Sequence, residues 1–161
     1  MNTGQTLLVA LGLLIFTVFI LTVYRTTASR FAMVISNEAL LTGSALAQSM
    51  VDQIIQKGFD EKTIDKVVLH PDSLTAPSRL GPDLFETDVT KFDDIDDYNN
   101  YTQNDSLPRL GRFKTFVLVN YVSQTNPDQI STIRTFFKKI SVYVINDLVK
   151  DTVKIYRIVT Y

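Results

Sequence analysis

The residues most able to do chemistry are four aspartates in eight residues, Lys91–Tyr98, KFDDIDDY. Asp93, Asp94, Asp96 and Asp97 offer the hard oxygen ligands that calcium takes. Their spacing is not that of an EF-hand loop, since no glycine marks the turn and no glutamate stands at its far end. A turn in which Asp side chains accept backbone hydrogen bonds uses the same residues. Phe92 and Tyr98 close the two ends and are expected to pin the segment to the sheet. The single histidine, His70, precedes Pro71 in a polar stretch. Nothing around it supplies a nucleophile, so Ser–His–Asp chemistry has no support. Cysteine is absent, which excludes disulfides and thiolate zinc sites. No phosphate loop, dinucleotide turn or histidine metal cluster occurs. Arg134, Lys138 and Lys139 are too few for a phosphate track, so no nucleic-acid partner is expected. A solvated face or a subunit contact is the expected use of these cations. Asn100-Tyr101-Thr102 and Asn104-Asp105-Ser106 fit a glycosylation triplet, a pattern common by chance.

The elements that must position these residues begin with Gly4–Tyr24, GQTLLVALGLLIFTVFILTVY, a run without charge. About 20 such residues cross a bilayer core of about 30 Å as a helix. Three fates are open to it: a cleavable secretory signal, an ordinary signal-anchor, or a helix that continues into a soluble domain. The run exceeds the usual signal core of about 7–15 apolar residues, and Met1–Gly4 carries no Lys or Arg.

The residues beyond Tyr24 favour the third fate. From Arg25 to Lys57 there is no proline and one glycine, Gly43. Ala28, Ala32, Ile35, Ala39, Gly43, Leu46, Met50 and Ile54 recur at helical spacing and form one stripe. Small residues in that stripe allow a close neighbour. Gly58 stands where a helix stop is expected. The reading is one helix from about Gln5 to Lys57, buried all round in residues 5–24 and amphipathic in 25–58. Arg25 and Arg30, just past the apolar run, would by charge alone place the adjoining domain in the cytoplasm.

Residues 59–111 read as a connecting region broken by Pro71, Pro77, Pro82 and Pro108, with Asp60 or Thr63 capping a short helical turn. Residues 112–161 read as an antiparallel sheet. Phe113–Ser123, Ile130–Ile145 and Thr152–Thr160 are its strands, with Ile140, Val142 and Val144 sharing a face. The fold class is α+β: a long N-terminal helix packed on a C-terminal antiparallel sheet of about three to four strands. The formal charge is −1, but residues 60–105 hold twelve acidic and four basic side chains, and residues 106–161 three acidic and nine basic. Opposite patches can therefore meet within one subunit or between subunits.

This order of elements resembles type IV pilins and type II secretion pseudopilins. Gly4-Gln5-Thr6-Leu7-Leu8 is similar to their leader junction, where a glycine precedes an apolar helix. KGFDE at 57–61, FDDIDDY at 92–98 and FFKKISVYV at 136–144 look like minor pilins of the MSHA type. The resemblance implies a structural subunit, major or minor, of a pilus-like or secretion filament. It implies residues 1–4 as a leader-like segment processed at Gly4 and Gln5 by a prepilin peptidase. It also implies an assembly surface including Thr6, Leu7, Leu8, Val9, Leu11, Leu14, Phe16 and Phe19, with other pilin subunits and an assembly platform as partners. Location would be the inner membrane with an exported domain, then an extracellular or periplasmic filament. No cofactor is implied, calcium at the aspartates being the one candidate. Two features depart from the family pattern: Met1–Gly4 is not basic, and Val9 stands at the fifth position after Gly4, where the family has a glutamate. A single-pass anchored sensor with a ligand at loops 71–111 is the reading from a different class.

Overall fold

A computed structural model describes residues 2–161. Helix α1 spans Thr3–Ile54 without a break. The chain divides into two compact units, one ending at Glu38 and one running from Ala39 to Tyr161.

In the first unit every described residue up to Val34 is exposed within the chain. The helix persists because no proline interrupts it, and its threonine hydroxyls find partners on its own backbone. Thr17, Thr22, Thr26 and Thr27 each donate to the carbonyl four residues earlier at 2.8–2.9 Å. Ala28 and Ala32 are exposed, and Ala39 is the first residue of the small-residue stripe that is buried. This corrects the longer stripe expected from spacing.

In the second unit the last part of α1 buries Ala39, Gly43, Ala47, Met50, Val51 and Ile54. They lie against a four-stranded antiparallel sheet in the order β1-β2-β3-β4. Its strands are β1 Thr102–Leu107, β2 Gly111–Tyr121, β3 Phe137–Asn146 and β4 Val153–Thr160. Alternation puts Phe113, Val117 and Val119 of β2 and Ile140, Val142 and Val144 of β3 in the core. A Cβ on Gly43 would sit 3.5 Å from Val153, 3.6 Å from Val144 and 3.8 Å from Phe113. Glycine there brings the helix close to three strands.

Three local expectations change. Strand β1 lies inside the region read as connection. Its sequence, TQNDSL, has poor strand propensity, yet it pairs in full register with β2 from Thr102↔Phe116 to Leu107↔Gly111. Strand β3 begins at Phe137 rather than Ile130. The hydroxyl of Thr135 bonds the carbonyls of Val122 and Phe137, and only the bridge Val122↔Ile130 extends the pairing. Finally, α1 stops at Ile54, and Gly58 is not a left-handed cap. It forms a parallel bridge with Asp94, where a Cβ would come 3.3 Å from the Asp93 carbonyl oxygen.

Candidate functional site

Two regions carry features a fold alone does not need: the apolar run of α1 and the aspartate segment beneath the sheet.

The apolar run presents its side chains outward. Leu7 is 69% exposed and Phe16 and Phe19 61%. Leu8, Val9, Leu11 and Leu14 are exposed on the same helix. Gly4 and Gln5 lie in its first turn, where Thr6 Oγ1 donates to Thr3 O at 2.8 Å. Met1 of the leader-like segment lies outside the described residues. The helix is long and apolar enough to cross a membrane, and none of its most apolar 18 residues is buried. Beyond its first turn the backbone groups of such a helix are paired within it, as a lipid environment requires.

The aspartate segment is held at both ends. Lys57 Nζ donates to the Phe92 carbonyl at 2.5 Å. The amide of Gly58 donates to Asp93 O at 2.8 Å, and that of Ile95 to Gly58 O at 2.9 Å. Phe92 meets Tyr98 edge-on at 5.0 Å, and Tyr101 packs 5.8 Å from both rings. Gln53 of α1 donates to the Tyr98 hydroxyl at 3.2 Å. Phe92 and Tyr98 are buried and anchor the segment between helix and sheet.

Its four aspartates do not converge. Asp94 Oδ1 accepts from the amides of Asp96 at 2.6 Å and Asp97 at 3.2 Å, the first two residues of the short 3-10 turn Asp96–Tyr98. Asp96 pairs with Lys138 Nζ. Asp93 is exposed, and Asp97 Oδ2 accepts from the amides of Asp93 and Asp94 at 3.0 and 3.2 Å. What converges is Glu86, Asp93 and Asp97, with one oxygen of each within 4.8 Å of the others. Calcium takes six to eight oxygens. Asp94 and Asp96 face elsewhere, and Glu86 is not among the residues that spacing singles out.

Lys138 is the residue that sequence reasoning misplaces. In place of a solvated face or a subunit contact, it is fully buried. Its Nζ donates to Phe59 O at 2.6 Å and Asp60 Oδ2 at 2.9 Å, as well as to Asp96. The rings of Phe59 and Tyr121 lie 4.5 and 5.2 Å from it. Asp60 is equally buried and accepts from the Thr75 amide and hydroxyl and from the Lys62 amide. The Tyr121 hydroxyl is 3.0 Å from Asp60 Oδ2. Strand phase is the signal that could have found this. Lys138 is in step with Ile140, Val142 and Val144, so its side chain has to enter the core and meet an anion there. Lys139 points the other way and pairs with exposed Asp128 at 2.7 Å.

The charges do not balance inside. One ammonium faces the Asp60 and Asp96 carboxylates, with Asp94 close by. Burial would raise Asp60, but the Lys138 charge and hydrogen bond, with the Thr75 and Lys62 amides, hold it below its ordinary value. Burial pushes Asp96 up to about 7 against the pull of Lys138. Burial and then repulsion from Asp96 push Asp94 to about 7. Burial and then Asp94 push Asp97 to about 8. The protons of this cluster therefore leave well above the ordinary carboxylate range.

Comparison with protein-family models, curated proteins and solved structures gives no match. The architecture itself is pilin-like in the general sense: an N-terminal apolar helix, continuous with one that packs on a C-terminal antiparallel sheet.

Proposed function

We propose that this chain is a structural subunit of a type IV pilus-like or type II secretion filament, of the minor-pilin or pseudopilin kind. One observation carries the reading. The outward-facing apolar side chains of residues 5–24 belong to the same unbroken helix whose C-terminal part is locked into the folded domain. Such a helix must find lipid or other helices. Each large apolar side chain removed from water is worth roughly 1.5–3 kcal/mol. Lipid and a helix bundle are similarly apolar, so passage from one to the other rests on packing and on an assembly platform.

In this reading the inner membrane stores the subunit with its domain exported, and a prepilin peptidase cuts between Gly4 and Gln5. Leu7, Leu8, Leu11, Leu14, Phe16 and Phe19 then enter the filament core, with Ala28 and Ala32 offering close approach to a neighbour. Val9 brings no carboxylate to meet a neighbour's amine, so this subunit, minor or major, joins its neighbours without that charge pair. The test is to shear cells and sediment the released material. Co-sedimentation of the chain as multimers supports the reading, and its recovery only as a membrane monomer overturns it.

Arg25 and Arg30 favour a second reading, a single-pass anchored binding domain facing the cytoplasm. Protease added to whole cells and to spheroplasts separates the two by whether residues 39–161 are cut.

A further inference from the structure

The folded domain carries two complementary surfaces that do not meet within one chain. The first is the side of the sheet facing away from α1. Phe116 and Leu118 of β2 and Tyr143 and Ile145 of β3 lie there, out of phase with the core positions Val117, Val119, Val142 and Val144. With Lys114 and Thr152 they line a concavity of about 470 Å³, of the size that holds ligand groups. The rings of Phe116 and Tyr143 are 6.3 Å apart, and Lys154 Nζ lies 5.3 Å from the Tyr143 ring. The face is therefore apolar with a basic edge.

The second surface is the turn Asp83-Leu84-Phe85-Glu86. Leu84 is 92% exposed and Phe85 85%. The turn is ordered. The Glu86 amide donates to Asp83 O at 3.1 Å, the Asp83 amide to Glu86 Oε2 at 3.1 Å, and Lys91 Nζ to Phe85 O at 3.3 Å. Its surroundings are acidic and under mutual repulsion. The Glu61 carboxyl is raised by burial, then by Asp93, Asp83 and Glu86. The Asp93 carboxyl is raised by burial and then by Glu86, with Asp83 adding to it. Two bare apolar side chains within an acidic field are costly to leave in water and call for a partner that is apolar and basic.

We propose that the 83–86 turn of one subunit docks into the Phe116–Tyr143–Ile145 concavity of a second copy of this chain, with Lys114 and Lys154 meeting Asp83 and Glu86. The two surfaces are different, so the contact is heterologous. Each copy then has a free turn and a free face, and repetition gives an open row of subunits rather than a closed dimer. The inference rests on the filament reading and adds to it a contact between folded domains, separate from the helix run.

The chain contains no cysteine, so engineered pairs report without background. Full-length Phe85→Cys/Ile145→Cys protein, oxidised in its own membrane, should give a ladder of dimers, trimers and larger species on a non-reducing gel. The two single variants expressed together should stop at the dimer, and each alone should stay monomeric. Lys114→Glu with Lys154→Glu should lower the ladder several-fold, and adding Asp83→Lys with Glu86→Lys should restore it. Symmetric dimers, in which either single variant cross-links to a second copy of itself, would overturn the proposal. So would adducts with a different protein, or indifference to charge reversal. A separate Leu14→Cys variant distinguishes the two levels. Cross-linking through position 14 without a ladder sinks the docking contact and keeps helix assembly; loss of both sinks the filament reading as well.

Discussion

Lys138 Nζ lies 2.9 Å from Asp60 Oδ2 across 78 residues of sequence, with both side chains fully buried. The pair ties β3 to the start of the connecting region, and through Asp96 to the aspartate segment. Each partner is hydrogen-bonded on several sides, which is the condition under which a buried ion pair persists.

Removing the cation should therefore cost far more than removing its neighbour. Lys138→Met leaves Asp60 and Asp96 facing each other in the core and is expected to destabilise the fold by about 3–5 kcal/mol. Lys139→Met disrupts an ion pair with exposed Asp128 and should stay within about 0.5 kcal/mol. Urea unfolding of the full chain in detergent, tracked by circular dichroism, reads both.

Stability should depend on pH in a defined direction. Asp94, Asp96 and Asp97 have folded-state values raised to about 7, 7 and 8. Their stabilising protonation is complete in acid and is lost as pH rises through those values. Asp60 is lowered, so its contribution exists above the ordinary carboxylate range and is lost as pH falls below it. The melting temperature should accordingly peak in weak acid and fall toward pH of about 8.5. Asp97→Asn keeps an acceptor for the amides of Asp93 and Asp94 and should flatten the alkaline fall. A profile that is flat or rises across that range contradicts the charge assignment.

At Gly43 a Cβ would make ordinary contacts at 3.5–3.8 Å. Gly43→Ala should be neutral or stabilise by up to about 1 kcal/mol, since glycine costs that much inside a helix. Gly43→Leu drives a branched side chain into Val144, Val153 and Phe113 and should cost about 1–3 kcal/mol. Thermal unfolding of the two variants side by side checks the helix–sheet approach.

The apolar run should be separable from the domain. Leu14→Arg places a charge near the middle of the run, at a cost of about 2.5–3.5 kcal/mol in a membrane. The fraction resisting carbonate extraction should drop, while the unfolding transition of residues 39–161 stays where it was. A shift of that transition would mean that the run supports the domain's own fold.

The sequence makes some parts of this legible for physical reasons and hides others. The helix is plain because nothing between Gln5 and Ile54 breaks it, and the strongest sheet segments because they are rich in β-branched and aromatic residues. Strand β1 is hidden by its composition. TQNDSL has no apolar face of its own and is strand only because β2 offers it a full register. The aspartate segment stands out, but its geometry does not. Which carboxylates meet depends on Gly58 and Lys57 stapling it to the helix end, and on Glu86 arriving from a stretch with no periodicity. Lys138 is legible but easily missed: beside Lys139 it reads as a polar patch, whereas strand phase assigns the two to opposite sides. The extent of the packed stripe on α1 is hidden too, since Ala28 and Ala39 look alike and only the latter lies under the sheet.

The central claim, that the apolar run is the means of assembly, is tested most directly by the intact mass of the chain in sheared, sedimented material. The account predicts multimeric protein whose N-terminus is Gln5, with its domain uncleaved. Protein that still begins at Met1 and is found only as a membrane monomer would contradict it.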